Sequence, residues 1–182
     1  MGSIKYHMNY RKAIEVIVWL GNKKPGIDIY HIAKVLFYAD KLHVNKYARP
    51  IIGDTYKNMD YGPVPSGVRD LITGDEWLNP NDLELIQESI IIDKSRYPSI
   101  ISLRAPNLNY FSGTDIECLE ESLKKYGDMT FDELKNLTHD ERCYLATEER
   151  GTIDYSLMVD EENPNRDEIL KNMAETSAYL QV

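Results

Sequence analysis

The sequence predicts an α+β protein that is predominantly helical, a single compact domain of about six or seven helices with a small antiparallel β-sheet or hairpin. Three observations carry that expectation. Apolar residues recur at helical spacing over Tyr10 to Leu20 and from Asp28 to about Tyr47. Thr114-Asp115-Ile116-Glu117, Thr130-Phe131-Asp132-Glu133 and Thr138-His139-Asp140-Glu141 each fit the capping box, in which a hydroxyl and a carboxylate three residues on satisfy free amides at a helix start. Ile90-Ile91-Ile92 and Ser99 to Leu103, around a loop with Arg96-Tyr97-Pro98, read as a β-hairpin.

The chain has 182 residues, with 42% hydrophobic and 28% charged side chains, which is enough chain and apolar content for a buried core. Its net charge of −9 makes direct nucleic-acid binding a poor fit, because phosphate contacts need clustered Lys and Arg. Tyr is common (13) against Phe (3), which suits either a binding surface or a core built with Tyr. Cys118 and Cys143 lack zinc or disulfide spacing and read as ordinary buried thiols. Val16 to Leu20 is too short to span a bilayer and no signal-peptide design precedes it, so a cytoplasmic protein without membrane contact is expected.

Taken in order, Asn9 should cap the first helix and Gly21 should end it. Pro25-Gly26 is a turn. In the second helix Ile29, Ile32, Ala33, Leu36 and Ala39 form the buried stripe, and Lys34, Lys41 and Asn45 mark the wet side. Asp40 and His43 extend the buried stripe and need partners there. Ile51-Ile52 and Thr55 to Asp60 have extended character about a tight Gly53-Asp54 turn. The strand near Tyr56 is expected to join the hairpin in one sheet. Two prolines keep Tyr61-Gly62-Pro63-Val64-Pro65 extended. Ser66 should cap a short helix that ends at Gly74. The three capping boxes open three successive helices, Ile153 to Met158 reads as an extended linker, and Asn163-Pro164 opens a last helix to about Leu180. That gives a domain over 1–162 and a C-terminal helix over 163–182, docked on the domain or used in association.

Catalytic and cofactor constellations are not visible in the sequence. G-x-S-x-G, G-x-G-x-x-G and G-K-[ST] are all missing, and no spacing places three metal ligands. His139-Asp140-Glu141 is explained by capping and by the helix dipole. Asp40 and His43, at i and i+3, read either as a shared site with the Tyr61 to Pro65 loop or as internal anchors for that loop's backbone. The stiff, apolar loop suits a binding surface.

These residues bring a family into view. Val35-Leu36-Phe37-Tyr38-Ala39-Asp40-Lys41-Leu42-His43, then Tyr47-Ala48-Arg49-Pro50-Ile51-Ile52-Gly53-Asp54-Thr55-Tyr56, then Tyr61-Gly62-Pro63-Val64-Pro65 and Leu71, resemble the Panacea (SocA-like) antitoxin domain. Lys125 to Thr130, Leu134 and Leu137 to Glu141 are similar to its C-terminal helices, so the resemblance runs over roughly Tyr10 to Met158. Ala48 stands where Gly is usual, Asp60 precedes Tyr61 where an apolar or basic residue is common, and Tyr144 replaces a Trp-Lys pair.

The resemblance implies a bacterial or phage antitoxin that neutralises a cognate protein toxin by direct binding, with no catalytic residues and no cofactor. One branch of the family delivers its toxin to a Clp-type protease, so a phage or prophage protease adaptor, or an inhibitor of a host factor, is the alternative. A hydrolase using Asp40 and His43 is a further one. Some members carry a separate DNA-binding domain, and the short stretch before the first helix leaves the expectation of none here. The partner-binding candidates are Tyr56, Tyr61, Pro63, Val64, Pro65 and Arg69, all expected to face outward except Val64, for which no orientation is predicted. Asp40, His43, Gly53 and Gly62 are expected to support them. A homodimer is a further possibility.

Overall fold

A computed structural model describes residues 3–94 and 97–179. Arg96, expected in the hairpin loop, and Leu180, expected at the end of the last helix, lie outside the described residues. The elements in order are α1 Tyr10–Lys23, β1 Ile27–Asp28, α2 Ile29–Tyr47, β2 Tyr56–Met59, β3 Gly62–Pro65, α3 Ser66–Thr73 and α4 Pro80–Ser89. Then follow β4 Ile90–Asp93, β5 Ser99–Ser102, α5 Gly113–Tyr126, α6 Phe131–His139, α7 Arg142–Leu145 and α8 Arg166–Thr176, with 3₁₀ turns at Leu108–Tyr110 and Tyr155–Met158. The fold is α+β and mostly helical, as the sequence predicts.

Two apolar clusters share α2 as a wall. The first gathers α1, one face of α2, α3, α5, and Ile86, Ile90 and Ile100. The second packs Phe37, Tyr38 and Val44 of α2 against Ile4, Tyr6, Tyr56, Ile153, Tyr155 and Met158, with Ile169, Leu170 and Met173 of α8. Because apolar layers cover both sides of α2, its expected wet stripe is not wet. Lys34 is 0% exposed. Lys41 pairs with Glu141 (2.6 Å) and Asp160 (3.0 Å), and Asn45 donates to the Met158 carbonyl (2.9 Å).

Several local expectations are corrected by packing. Gly21 does not stop α1 but lies inside it, where a Cβ would overlap the Ser102 hydroxyl of β5. The strand near Tyr56 does not join the hairpin: β1, β5 and β4 form one sheet, and β2 and β3 another. The free side of β2 is taken by the chain at Thr152, which bridges Lys57. α4 was not anticipated, although Asn79 caps it and Pro80 opens it. Ser112, not Thr114, caps α5 in a capping box with Asp115. Thr130 and Glu133 form the box expected for α6. Thr138 is buried inside α6, and α7 starts after Glu141, so the third box does not form. Tyr155–Met158 is a 3₁₀ turn and not an extended linker, and Pro164 precedes the Asn165 cap of α8 instead of opening the helix.

Candidate functional site

The middle of α2 holds the turn that follows it. The Asp40 carboxylate accepts the Ile51 N–H (2.6 Å) and the Tyr56 hydroxyl (2.9 Å). Burial raises Asp40 to about 6, and these two bonds, His43 and Lys12 hold it from rising further. Imidazole His43 bonds the Arg49 carbonyl through Nδ1 (2.7 Å) and reaches Thr114 Oγ1 through Nε2 (3.0 Å). Asp115 of α5 completes this centre, with Lys12, Arg49 and His43 at 3.0, 3.1 and 3.3 Å. Asp40 and His43 are therefore buried and engaged with the 49–56 turn and with α5, not with the proline loop. Neither is presented to a substrate. No group of three or more His, Cys, Asp or Glu side chains converges as a metal site among the described residues.

Gly53 has a positive φ of 66°, and Asp54 follows it into the core. Its carboxylate, not Ser66, caps α3, accepting the Gly67 and Val68 amides at 2.8 Å each. Burial raises Asp54 to about 6 against those bonds.

The proline loop is held by a residue the sequence placed on the wet side. Lys34 Nζ donates to the Pro63 carbonyl (2.9 Å) and sits 4.9 Å from the centre of the Tyr30 ring. Burial pulls its ammonium down to about 7. Gly62, with φ 96°, lies directly over Nζ and the Thr138 hydroxyl, where a Cβ would overlap both. Ser66 N–H bonds Thr55 O (3.0 Å), so strand alternation turns Gly62 and Val64 amides to β2 and the prolines to the other edge. Proline offers no N–H, so β3 cannot accept a further strand there.

The outward-facing candidates divide accordingly. Tyr56 is 0% exposed, packed in the second apolar cluster with its hydroxyl bonded to Asp40, and Pro63 and Pro65 are buried as well. The expectation that these three face outward is corrected. Tyr61 is 55% exposed and packs edge-on against Phe131, which is itself 42% exposed (ring centres 5.3 Å apart). Phe131 in turn lies 4.5 Å from the Tyr30 ring, and Lys135 sits over Tyr61 at 5.6 Å. Val64 is half-buried, and Arg69 is exposed and paired with Asp70 (3.0 Å).

Val64, Pro65 and Arg69 line a shallow furrow with Ile29 and Ile72. A separate cavity of about 570 Å³ shares Ile29 and Ile72 with the furrow and is lined also by Ile86, Ile90 and Ile92 among others. The first turn of α2 thus gives Tyr30 to an aromatic platform with Phe131 and Tyr61, and Ile29 to the apolar hollow. Tyr30 and Phe131 were missed from the sequence because they lie a hundred residues apart and only α6 packing beside β3 brings them together.

Among the described residues no helix is long and apolar enough to cross a membrane. Searches of curated proteins and of solved structures find no match. A family model described as "Antitoxin SocA-like, Panacea domain" matches residues 32–144, from the first turn of α2 into α7, and so contains Asp40, His43, the proline loop and the Tyr61–Phe131 pair, while Tyr30 lies just before it. The chain belongs to the SocA-like, Panacea-domain antitoxin family.

Proposed function

We propose that this protein is an antitoxin that neutralises a cognate protein toxin by direct, non-catalytic binding through the face of Tyr30, Tyr61, Val64, Arg69 and Phe131. The observation that carries this reading is the exposed Tyr61–Phe131 pair. The loop that marks the family keeps its glycine and prolines inside and turns its tyrosine outward. Rings held by packing lose little entropy on binding, and aromatic and Arg side chains dominate protein–protein contacts. That the partner is a toxin comes from family membership.

The test is co-expression with the product of the adjacent gene. Wild-type protein is expected to restore growth. Tyr61→Ala is expected to abolish rescue while changing unfolding free energy by less than about 0.5 kcal/mol, as for a surface substitution. Tyr56→Phe is expected to cost about 1–2 kcal/mol, because it leaves a buried carboxylate oxygen short of a donor, and to keep rescue. A neighbour that is harmless alone, or that stays toxic beside the wild-type protein, overturns the reading.

A further inference from the structure

The residue beside Tyr30 ties the aromatic platform to a proton. His31 stands in the first turn of α2, and its two ring nitrogens reach two different segments. Nδ1 lies 2.7 Å from Oδ2 of Asp28, the residue that caps α2, and Nε2 lies 2.7 Å from the Met129 carbonyl oxygen. Burial would raise Asp28, but bonds from the His31 ring and amide hold it below the ordinary carboxylate range, so at neutral pH it is ionised. A carboxylate and a carbonyl can only accept. Both nitrogens of His31 therefore donate, and the geometry is that of the imidazolium. The His31 side chain is 18% exposed, which leaves the proton a route to solvent.

The Met129 bond acts on the binding face at short range. Thr130, the next residue, caps α6, and Phe131 is the first residue of that helix. The Phe131 ring lies between those of Tyr30 (4.5 Å) and Tyr61 (5.3 Å), and the Tyr30 hydroxyl is 3.4 Å from the carbonyls of both Phe131 and Tyr61. A neutral imidazole donates through one nitrogen only. Asp28, as the charged acceptor, keeps Nδ1–H. Nε2 then turns a lone pair toward the Met129 oxygen at a distance suited only to a hydrogen bond, and the segment leading into Phe131 is pushed away.

The other charges near the ring do not override this. Lys24, just past α1, opposes the imidazolium, but it is paired with Asp128 of the α5–α6 loop, which favours it. Asp132 of α6 acts on Tyr30. The Asp28 bond outweighs burial and Lys24 and lifts His31 above its ordinary 6.5.

We propose that His31 is a proton-linked positioning residue of the binding face: as imidazolium it holds the start of α6, and with it the Phe131 ring, against Tyr30 and Tyr61, and loss of the proton loosens that platform. Partner binding through this face is then full below pH 6.5 and weakens as pH rises through the higher midpoint of the folded protein. By reciprocity, the bound partner raises that midpoint. The partner step rests on the antitoxin reading; the coupling of His31 to Phe131 does not.

The test is an NMR pH titration of the whole protein from about pH 5.5 to about 9, across the histidine range. Both ring nitrogens of His31 are expected to carry protons at pH 6.5, and the Thr130 amide and Phe131 ring signals to titrate with the His31 midpoint. His31→Gln is expected to flatten the Thr130 and Phe131 profiles. Asp28→Asn keeps a good cap and removes the charge, so it is expected to lower the His31 and Phe131 midpoints together by about one unit. Affinity for the product of the adjacent gene is expected to fall about tenfold from about pH 6 to about 8.5, and to stay level in His31→Gln. Phe131 signals that ignore His31 or titrate unchanged in His31→Gln, midpoints that part in Asp28→Asn, or a wild-type affinity level with pH overturn the proposal. If the coupling fails while growth rescue holds, only the role of His31 falls. If the coupling holds but the neighbour neither binds nor is neutralised, only the antitoxin reading falls.

Discussion

Lys34 carries its ammonium into a site with one acceptor, the Pro63 carbonyl at 2.9 Å, and the face of Tyr30. Burial lowers it from 10.5 to about 7, so between those values the unfolded chain holds a proton that the folded protein does not. Stability from this group is therefore present above pH 10.5, declines as pH falls to about 7 and stays lost below. Lys34→Met keeps the length and removes the charge. We expect it to stabilise the protein at pH 7 by about 1–3 kcal/mol and to flatten the slope between pH 7 and 10. Guanidinium unfolding at both pH values checks this, and a destabilised variant would mean that the bond to Pro63 outweighs the desolvation. Nothing local in the sequence marks Lys34, whose neighbours at helical spacing are ordinary. Asp40 and His43 were legible as buried polar groups because they extend an apolar stripe, but their partners at Ile51, Tyr56 and Arg49 were not.

At the scale of the element, α2 ends on Ala48, among the described residues the one helix cap where a residue with a Cβ holds a left-handed φ, here 56°. The family's usual glycine has the simple reason that only glycine adopts this conformation without cost. Ala48→Gly is expected to stabilise the protein by about 1 kcal/mol, read as a higher urea midpoint with an unchanged slope. A lower midpoint would show that Ala48's packing against the second core matters more than its backbone. Gly21 teaches the opposite lesson. As a helix stop it was misread, because the residue is needed for close approach of α1 to β5, a contact between segments some eighty residues apart. The capping boxes show the same limit: Thr130–Glu133 forms, while Thr114 yields to Ser112 and Thr138 is swallowed by α6. A cap pattern is a short-range signal and recurs by chance; only the packed helix decides which hydroxyl starts it.

Over the whole molecule, the buried carboxylates set an unusual pH response. Burial raises Asp40 and Asp54 from 3.8 to about 6, so their contribution is full below pH 3.8 and is lost as pH rises through 6. His31 adds to this trend. Its Nδ1 bonds Asp28 and its Nε2 bonds the Met129 carbonyl, each at 2.7 Å, so both nitrogens donate and the charged form is favoured. Its contribution is likewise lost as pH rises above its ordinary 6.5. Asp115 opposes at the acid end: burial would raise it, but His43, the Ser112 amide and Lys12 hold it well below 3.8, and that support disappears as the carboxylate protonates. The urea midpoint is expected to be highest at about pH 4–5 and to fall toward pH 7. A midpoint that climbs over that interval would contradict the assignment.

The sequence by itself determined the mostly helical class, the α2 helix and its buried polar pair, the stiff proline loop and the family, because periodicity, proline stereochemistry and a dense motif are all local. Only the tertiary structure decided which side of α2 is dry, that β2 and the hairpin belong to separate sheets, and that Tyr61 faces outward while Tyr56 does not. Each of those depends on a second layer, built from β3, α6 and the chain after Cys143, closing over α2. Burial is a property of what arrives from elsewhere in the chain, and a residue's own neighbours do not carry it.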